Sequence, residues 1–213
     1  MTDACQYLHD TLSRLPRLKR EDLAQVPKNG IYVLFENDEL GHSGDRIVRV
    51  GTHRGQNNLP GRIREHLYKT NKDRSIFRKH VGRCLLAKAG DPFLFQWELD
   101  LTAKASRALH ESKVDKARLQ EVEADVTRYM VDNFSFAVLR FDSGADRHDY
   151  EEALLSTVYH CPECGPSDTW LGKHHPTSEI LKSCGLWNIQ SLTGKVLSPD
   201  QAKRIVTAGG TAQ

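Results

Sequence analysis

Apolar positions along this chain fall in blocks whose spacing switches between helical and strand-like. Residues 3–15 place Tyr7, Leu8, Leu12 and Leu15 at helical spacing, and Leu18, Leu23 and Val26 extend them into a helical lead-in. Pro27-Lys28-Asn29-Gly30 reads as a turn. Ile31 to Phe35 is apolar, β-branched or aromatic throughout, the pattern of a buried strand. Asn37 to Asp45 reads as a polar hairpin loop, and Ile47 to Val50 as the returning strand. A helix starts at Asn57-Asn58-Leu59-Pro60, with proline in the tolerated first turn. Phe77 to Leu86 predicts another helix, and Phe93 to Leu101 a strand or a loop. Ala103 to Met130, with near-balanced charge and scattered apolar anchors, predicts one or two amphipathic helices lying on the core. Phe134 to Phe141 is the second strong strand. Ser143-Gly144-Ala145-Asp146 turns into a helix reaching about Tyr159. Cys161 to Pro176 is loop-like, Thr177 to Cys184 a short helix stopped at Gly185, and Gly209 to Gln213 a frayed tail.

Periodicity also singles out side chains. On a helix with Glu151 at the origin, Leu154, Leu155 and Val158 lie at about −60°, +40° and −20°. Glu151 therefore points into the apolar face, with Glu152 on its flank. A carboxylate facing a core needs a cation, a metal or a proton, and a nearby arginine that merely holds the fold would also serve. On the helix after Pro60, Arg62 and His66 share a face beside the buried stripe, one turn apart. Arginine in such a place suits a phosphate, because its planar fork offers two parallel charge-assisted hydrogen bonds. Tyr32 alternates with Ile31 and Val33 along its strand, so its ring leaves the opposite side. Taken alone it is an ordinary core tyrosine.

Composition narrows the class. At 38% hydrophobic and 27% charged, the chain has the makeup of a soluble globular protein. No apolar run approaches bilayer length and no signal-peptide pattern opens the sequence, so the expectation is a cytoplasmic protein with no membrane partner. Net charge is only +2, but His53 to Arg83 holds nine Lys and Arg against two acids. That stretch suits a phosphate backbone, or is a solvated helical face.

Taken in order, Gly30-Ile31-Tyr32, then Val50-Gly51-Thr52, then Arg62-x-x-x-His66, then Tyr150-Glu151-Glu152-Ala153-Leu154-Leu155 resemble the motifs of the GIY-YIG nucleases. That superfamily contains homing endonucleases, the excinuclease subunit that makes the repair incision, and some type II restriction enzymes. The resemblance runs from Gly30 to about Val158, with a long insertion between Leu86 and Asn133. It implies an α+β fold: a small antiparallel three-stranded sheet flanked by helices, with helical N-terminal, central and C-terminal additions. The expected organisation is an N-terminal extension at 1–27, the nuclease-like domain at 28–160 with a helical insertion near 87–132, and a C-terminal extension at 161–213 packed on the core.

The same resemblance implies metal-dependent phosphodiester hydrolysis in DNA, RNA not being excluded, with Mg²⁺ or Mn²⁺ on Glu151. Tyr32, Arg62, His66 and Glu151 are the implied catalytic residues, and Arg49, Thr52, His53, Arg54, Arg64 and Lys69 the expected substrate contacts. A homodimer would allow double-strand cleavage. One departure stands out: Arg49 occupies the place where the family usually has the tyrosine of its second motif. Thr52, His53 or His66 would have to substitute in proton transfer, and a catalytically degenerate nucleic-acid-binding module of the same fold is the alternative. The family's frequent asparagine after the metal glutamate has no nearby counterpart, Asn188 being far along the chain.

Five cysteines without a secretory pattern argue against a disulfide framework. Cys161-x-x-Cys164 has the spacing of half a tetrahedral zinc site, but His174, His175 and Cys184 make an irregular second half. Turn cysteines and surface histidines are the expectation, with structural Zn²⁺ as the secondary reading.

Overall fold

A computed structural model describes residues 3–42 and 44–209. Its centre is an antiparallel sheet of three strands among the described residues: β1 (Gly30–Gly41), β2 (Gly44–Gly51) and β3 (Phe134–Arg140), in spatial order β2-β1-β3. Helices cover both faces, giving an α+β architecture. Alternation along β1 explains this: Tyr32 and Leu34 leave one side, Ile31, Val33 and Phe35 the other, and all five are buried. On the first side, Tyr32 and Leu34 join a core built with α2 (Leu59–Leu67), α3 (Ile76–Ala89), α4 (Leu94–Trp97) and, beyond α5 (Lys104–His110), α6 (Lys116–Asn133). On the second side, the core comes from α1 (Ala4–Leu12), α7 (Gly144–Tyr159) and, beyond α8 (Glu179–Cys184), α9 (Pro199–Ala208). Among the described residues, no helix is long and apolar enough to cross a membrane.

Register determines what meets at the ends of the sheet. Tyr32 pairs with Gly51 on one side and Val138 on the other, while Leu34 pairs with Arg49. Tyr32 and Arg49 thus share a face. A side chain at Gly51 would clash with the Tyr32 hydroxyl, and one at Gly30 with the Leu139 carbonyl, so both glycines are required by close approach. The outer edge of β2 is covered by the loop after α8. Trp187 N–H donates to the Val48 carbonyl at 2.7 Å, and the Asn188 amide exchanges bonds with Val50 at 3.2 and 3.0 Å.

Three local expectations are corrected. The polar segment 37–45 is mostly strand: β1 continues to Gly41 and pairs with Asp45 and Gly44. Its charge is tolerated because Glu39 and Arg46, both buried, pair with each other, and Ser167 and the Gly185 carbonyl add further hydrogen bonds. Phe93 to Leu101 contains a short helix rather than a strand, anchored by buried Trp97 seated over Gly82. The lead-in after α1 is not continuous helix, since Leu18 bridges to Phe136 and a 3₁₀ turn spans Arg20–Ala24. Gly209 accepts a hydrogen bond from Arg140 N–H at 2.6 Å, while 210–213 lie outside the described residues.

A histidine pair joins α3 to the segment before α8. His80 Nδ1 and His175 Nε2 are 2.9 Å apart. Burial, followed by the charge of Arg83, lowers His80 to about 3 and His175 to about 4. Both folded values lie below the unfolded 6.5, so the stability they carry is complete above pH 6.5 and is lost as pH falls toward those values. The midpoint of urea unfolding is therefore expected to drop steadily below pH 6.5. In the His80→Asn protein the drop should be shallower, and equal slopes would exclude this origin.

Candidate active site

β2 ends at Gly51, and beyond it the chain enters a cleft of about 740 Å³ bounded by the start of α2, the first half of α7 and the loop after α8. Arg147, a turn before Glu151 on α7, braces the loop beside this cleft. Its guanidinium is buried and donates to the carbonyls of Phe141, Asp142 and Gly55 at 3.2, 2.9 and 2.8 Å. The strand-to-helix loop is thereby tied to the helix that carries the acid. Thr52 Oγ1 closes the other side, donating to the Gly30 carbonyl at 2.7 Å.

Glu151 lines this cleft, with its side chain a quarter exposed. Leu154, Leu155 and Val158 anchor the following turns in the core as the periodicity requires. The arginine pairing that would make Glu151 structural is not formed. Among the described residues its ion-pair contact is His148 Nδ1, one turn earlier, at 3.8 Å. Burial pushes its carboxyl above the usual range, against the pull of Arg49, His148, the Thr52 N–H and Arg62.

Arg49 is the central cation. It is buried, lines the cleft, donates from Nη1 to the Trp187 carbonyl at 2.9 Å and lies over the Phe77 ring at 4.9 Å. Its Nε reaches the Tyr32 hydroxyl at a long 3.4 Å. No carboxylate lies within ion-pair distance of it among the described residues. Burying a cation without a carboxylate is costly, and the bonds to Trp187 and Tyr32 offset part of that cost. Arg62 lines the same cleft from α2, about a third exposed, and among the described residues is held only by Glu65 at 3.3 Å and the Arg74 carbonyl at 3.4 Å. His53 is buried on the cleft wall and neither ring nitrogen has a partner among the described residues. Burial and then Arg147 lower its pKa.

The expected residues thus divide. Arg49, Thr52, His53, Arg54, Arg62 and Glu151 line one cleft. Tyr32 and His66 stand behind it, with their rings 6.1 Å apart and both buried. The shared face read for Arg62 and His66 is split, because their small angular offset crosses the edge of the buried stripe. His66 joins Ile63 and Leu67 inside, bonded to Ser75 Oγ at 2.6 Å, and burial holds its pKa well below the usual value. Arg64 and Lys69 are exposed and outside the cleft lining.

The basic stretch is also less uniform than its composition. Arg78 is buried against Glu123, Lys72 against Asp73, and Arg83 and Lys79 face Glu98, leaving Arg54, Arg62 and Arg74 on the cleft. Sequence reasoning missed Asn58, Arg74, His148 and Asn188, which also line it. Only Arg74 carried a signal, as a member of the basic stretch. Asn188 arrives because its loop caps β2.

No curated protein and no solved structure matches the chain. A family model described as a GIY-YIG domain matches residues 3–202, which includes α1, the central helical segment and the start of α9. With that match over nearly the whole length, and the strand, strand, helix, strand, helix order carrying Tyr32, Arg62 and Glu151 in sequence, the chain belongs to the GIY-YIG domain family, whose members are nuclease-type proteins.

Proposed function

We propose that this protein is an endonuclease that hydrolyses phosphodiester bonds in DNA with one hard divalent cation, Mg²⁺ or Mn²⁺, bound at Glu151. One observation supports the reading: Glu151 and the buried Arg49 line one cleft, near enough for the arginine's charge to pull on the acid, yet among the described residues they form no ion pair. In that arrangement the acid could hold a metal and the guanidinium a phosphate oxygen. The donor set suits such a cation, since a single carboxylate with solvent and phosphate oxygens meets its preference for hard ligands. When bound, it would polarise the phosphoryl oxygen and stabilise the leaving oxyanion.

The chain's own residues supply the rest. Arg49, held in place by Trp187 and Phe77, would receive a non-bridging phosphate oxygen from the floor of the cleft. Arg62, only weakly tied to Glu65, is free to swing onto the same phosphate as negative charge builds. Arg54 and Arg74 would track the flanking backbone, and His53 offers an unpartnered ring nitrogen to substrate or water.

Tyr32 contributes through Arg49 or as the proton acceptor toward water, with neutral His66 beside it. The Tyr32→Phe protein separates these roles. A positioning residue predicts a loss of about tenfold with an unchanged pH profile. A proton acceptor predicts a larger loss and a displaced profile.

The burial of Tyr32 behind Arg49 favours the second reading, a nucleic-acid-binding module without catalysis. Nicking of supercoiled plasmid with Mg²⁺ or Mn²⁺, repeated with Glu151→Ala and Arg62→Ala, tests the proposal. Salt-sensitive DNA binding with no nicking in either metal would select the module, and no salt-sensitive binding at all would reject both. Arg54→Ala should weaken DNA binding equally across sequences and reduce the slope of log affinity against log salt by about 1. A sequence-dependent loss would place Arg54 against a base instead.

A further inference from the structure

The opposite end of the β1–β2 hairpin from the cleft gathers side chains that the nuclease reading does not use. Cys5 of α1, His42 at the hairpin tip, and Cys161 and Cys164 in the loop after α7 bring their Sγ and Nε2 or Nδ1 atoms within 4.8 Å of one another. Cys5 Sγ lies 3.5 Å from Cys164 Sγ, and His42 Nε2 lies 3.1 Å from Cys161 Sγ. Four such ligands around a tetrahedral Zn²⁺, with bonds of about 2.3 Å to sulfur and 2.0 Å to nitrogen, would stand roughly 3.5–3.8 Å apart. We propose that Cys5, His42, Cys161 and Cys164 form a structural zinc site that pins the N-terminal helix and the loop after α7 to the tip of the β1–β2 hairpin.

The surroundings prepare the ligands. His42 Nδ1 faces the Glu163 carboxylate at 3.3 Å, which keeps the proton on Nδ1 and leaves the Nε2 lone pair toward the sulfurs. The imidazole of His42 is almost fully buried, although its backbone takes the left-handed φ of 51°. Histidine is one of the few side chains enriched in that conformation. His9 lies against the cluster too, but its Nε2 accepts the Ile47 N–H at 3.1 Å and its Nδ1 donates to the Cys5 carbonyl at 3.0 Å. Both nitrogens being engaged, His9 supports the cluster and His42 supplies the fourth bond. With four protein ligands and no open position, the site is of the structural kind.

This assignment replaces the partner set expected for Cys161 and Cys164. His175 pairs with His80 on the other side of the molecule, and Cys184 bonds to Leu186. The second half of the site comes from Cys5 and His42, too far along the chain for any spacing rule.

The full chain, purified without chelator and measured by elemental mass spectrometry, should carry about one equivalent of zinc. Cys164→Ser and His42→Ala should hold less than about a tenth of that, while Cys184→Ser and Glu151→Gln keep it all. Retention in Glu151→Gln separates this site from the catalytic metal. Because a ligand variant can fail to fold, the unaltered protein reconstituted with Co²⁺ gives the independent readout: an intense thiolate-to-cobalt charge-transfer band with tetrahedral ligand-field absorption. Stripping the metal should lower the melting temperature by at least about 10 °C. Metal-free protein with all five thiols open to alkylation, or a Cys5–Cys164 disulfide in a non-reducing peptide map, would overturn the assignment.

Discussion

Glutamine at position 151 should leave the fold in place and reduce Mg²⁺-dependent plasmid nicking by roughly a thousandfold. The size follows from what the carboxylate is proposed to hold. Transition-state stabilisation by one metal is worth several kcal/mol, and each ~1.4 kcal/mol is a factor of ten in rate. The direction of the stability change is a separate signature. Burial raises the carboxyl of Glu151 by more than the charges of Arg49, His148 and Arg62 lower it, so the native protein tolerates a charge it would be more stable without. Glu151→Gln should therefore melt at or above the temperature of the unaltered protein. DNA binding measured without metal should hold or strengthen, because a negative charge leaves an arginine-lined cleft. Nicking at an undiminished rate in Glu151→Gln would remove the metal from this position.

Truncating Glu123 to alanine should cost roughly 3–5 kcal/mol, and about 2–4 °C of melting temperature for each kcal/mol. Glu123 is the counter-ion of Arg78, which is fully buried on α3 and bonded to the carboxylate at 2.7 and 3.2 Å. The same guanidinium also reaches Thr127 Oγ1 at 2.7 Å and the Glu123 carbonyl at 3.1 Å. Glu123 further accepts the backbone N–H of Lys72. Alanine leaves a cation stranded in the core that joins α3 to α6, and removes the partner of a buried amide. Pairing both changes, Glu123→Met with Arg78→Met, should recover much of the loss. If Glu123→Ala melted within a degree or two of the unaltered protein, α6 would be peripheral to folding rather than part of the core.

The fold was legible where local pattern and tertiary role agree. Ile31 to Phe35 and Phe134 to Phe141 are apolar on both faces because helices cover both faces, and they emerge as β1 and β3. The helix after Ser143 runs to Tyr159 because the Ser143 side chain accepts the Asp146 N–H and Leu154, Leu155 and Val158 seat in the core. Segment 37–45 was misread because Glu39 is buried against Arg46 of the neighbouring strand, and composition does not reveal a buried ion pair. Phe93 to Leu101 was misread because a four-residue helix is too short to show a period.

The sequence alone determined the order of the motifs, the inward aim of Glu151 and the substitution of arginine in the second motif, because each is written in neighbouring residues. Only the tertiary structure decided which of these meet. Register placed Arg49 beside Tyr32, the edge of a helical stripe separated Arg62 from His66, and a loop capping β2 brought Asn188 to the cleft. The same holds for the cysteines, whose partners at Cys5 and His42 are brought by chain folding over more than a hundred residues. Side-chain period is a local property of the backbone, whereas convergence depends on packing of the whole chain.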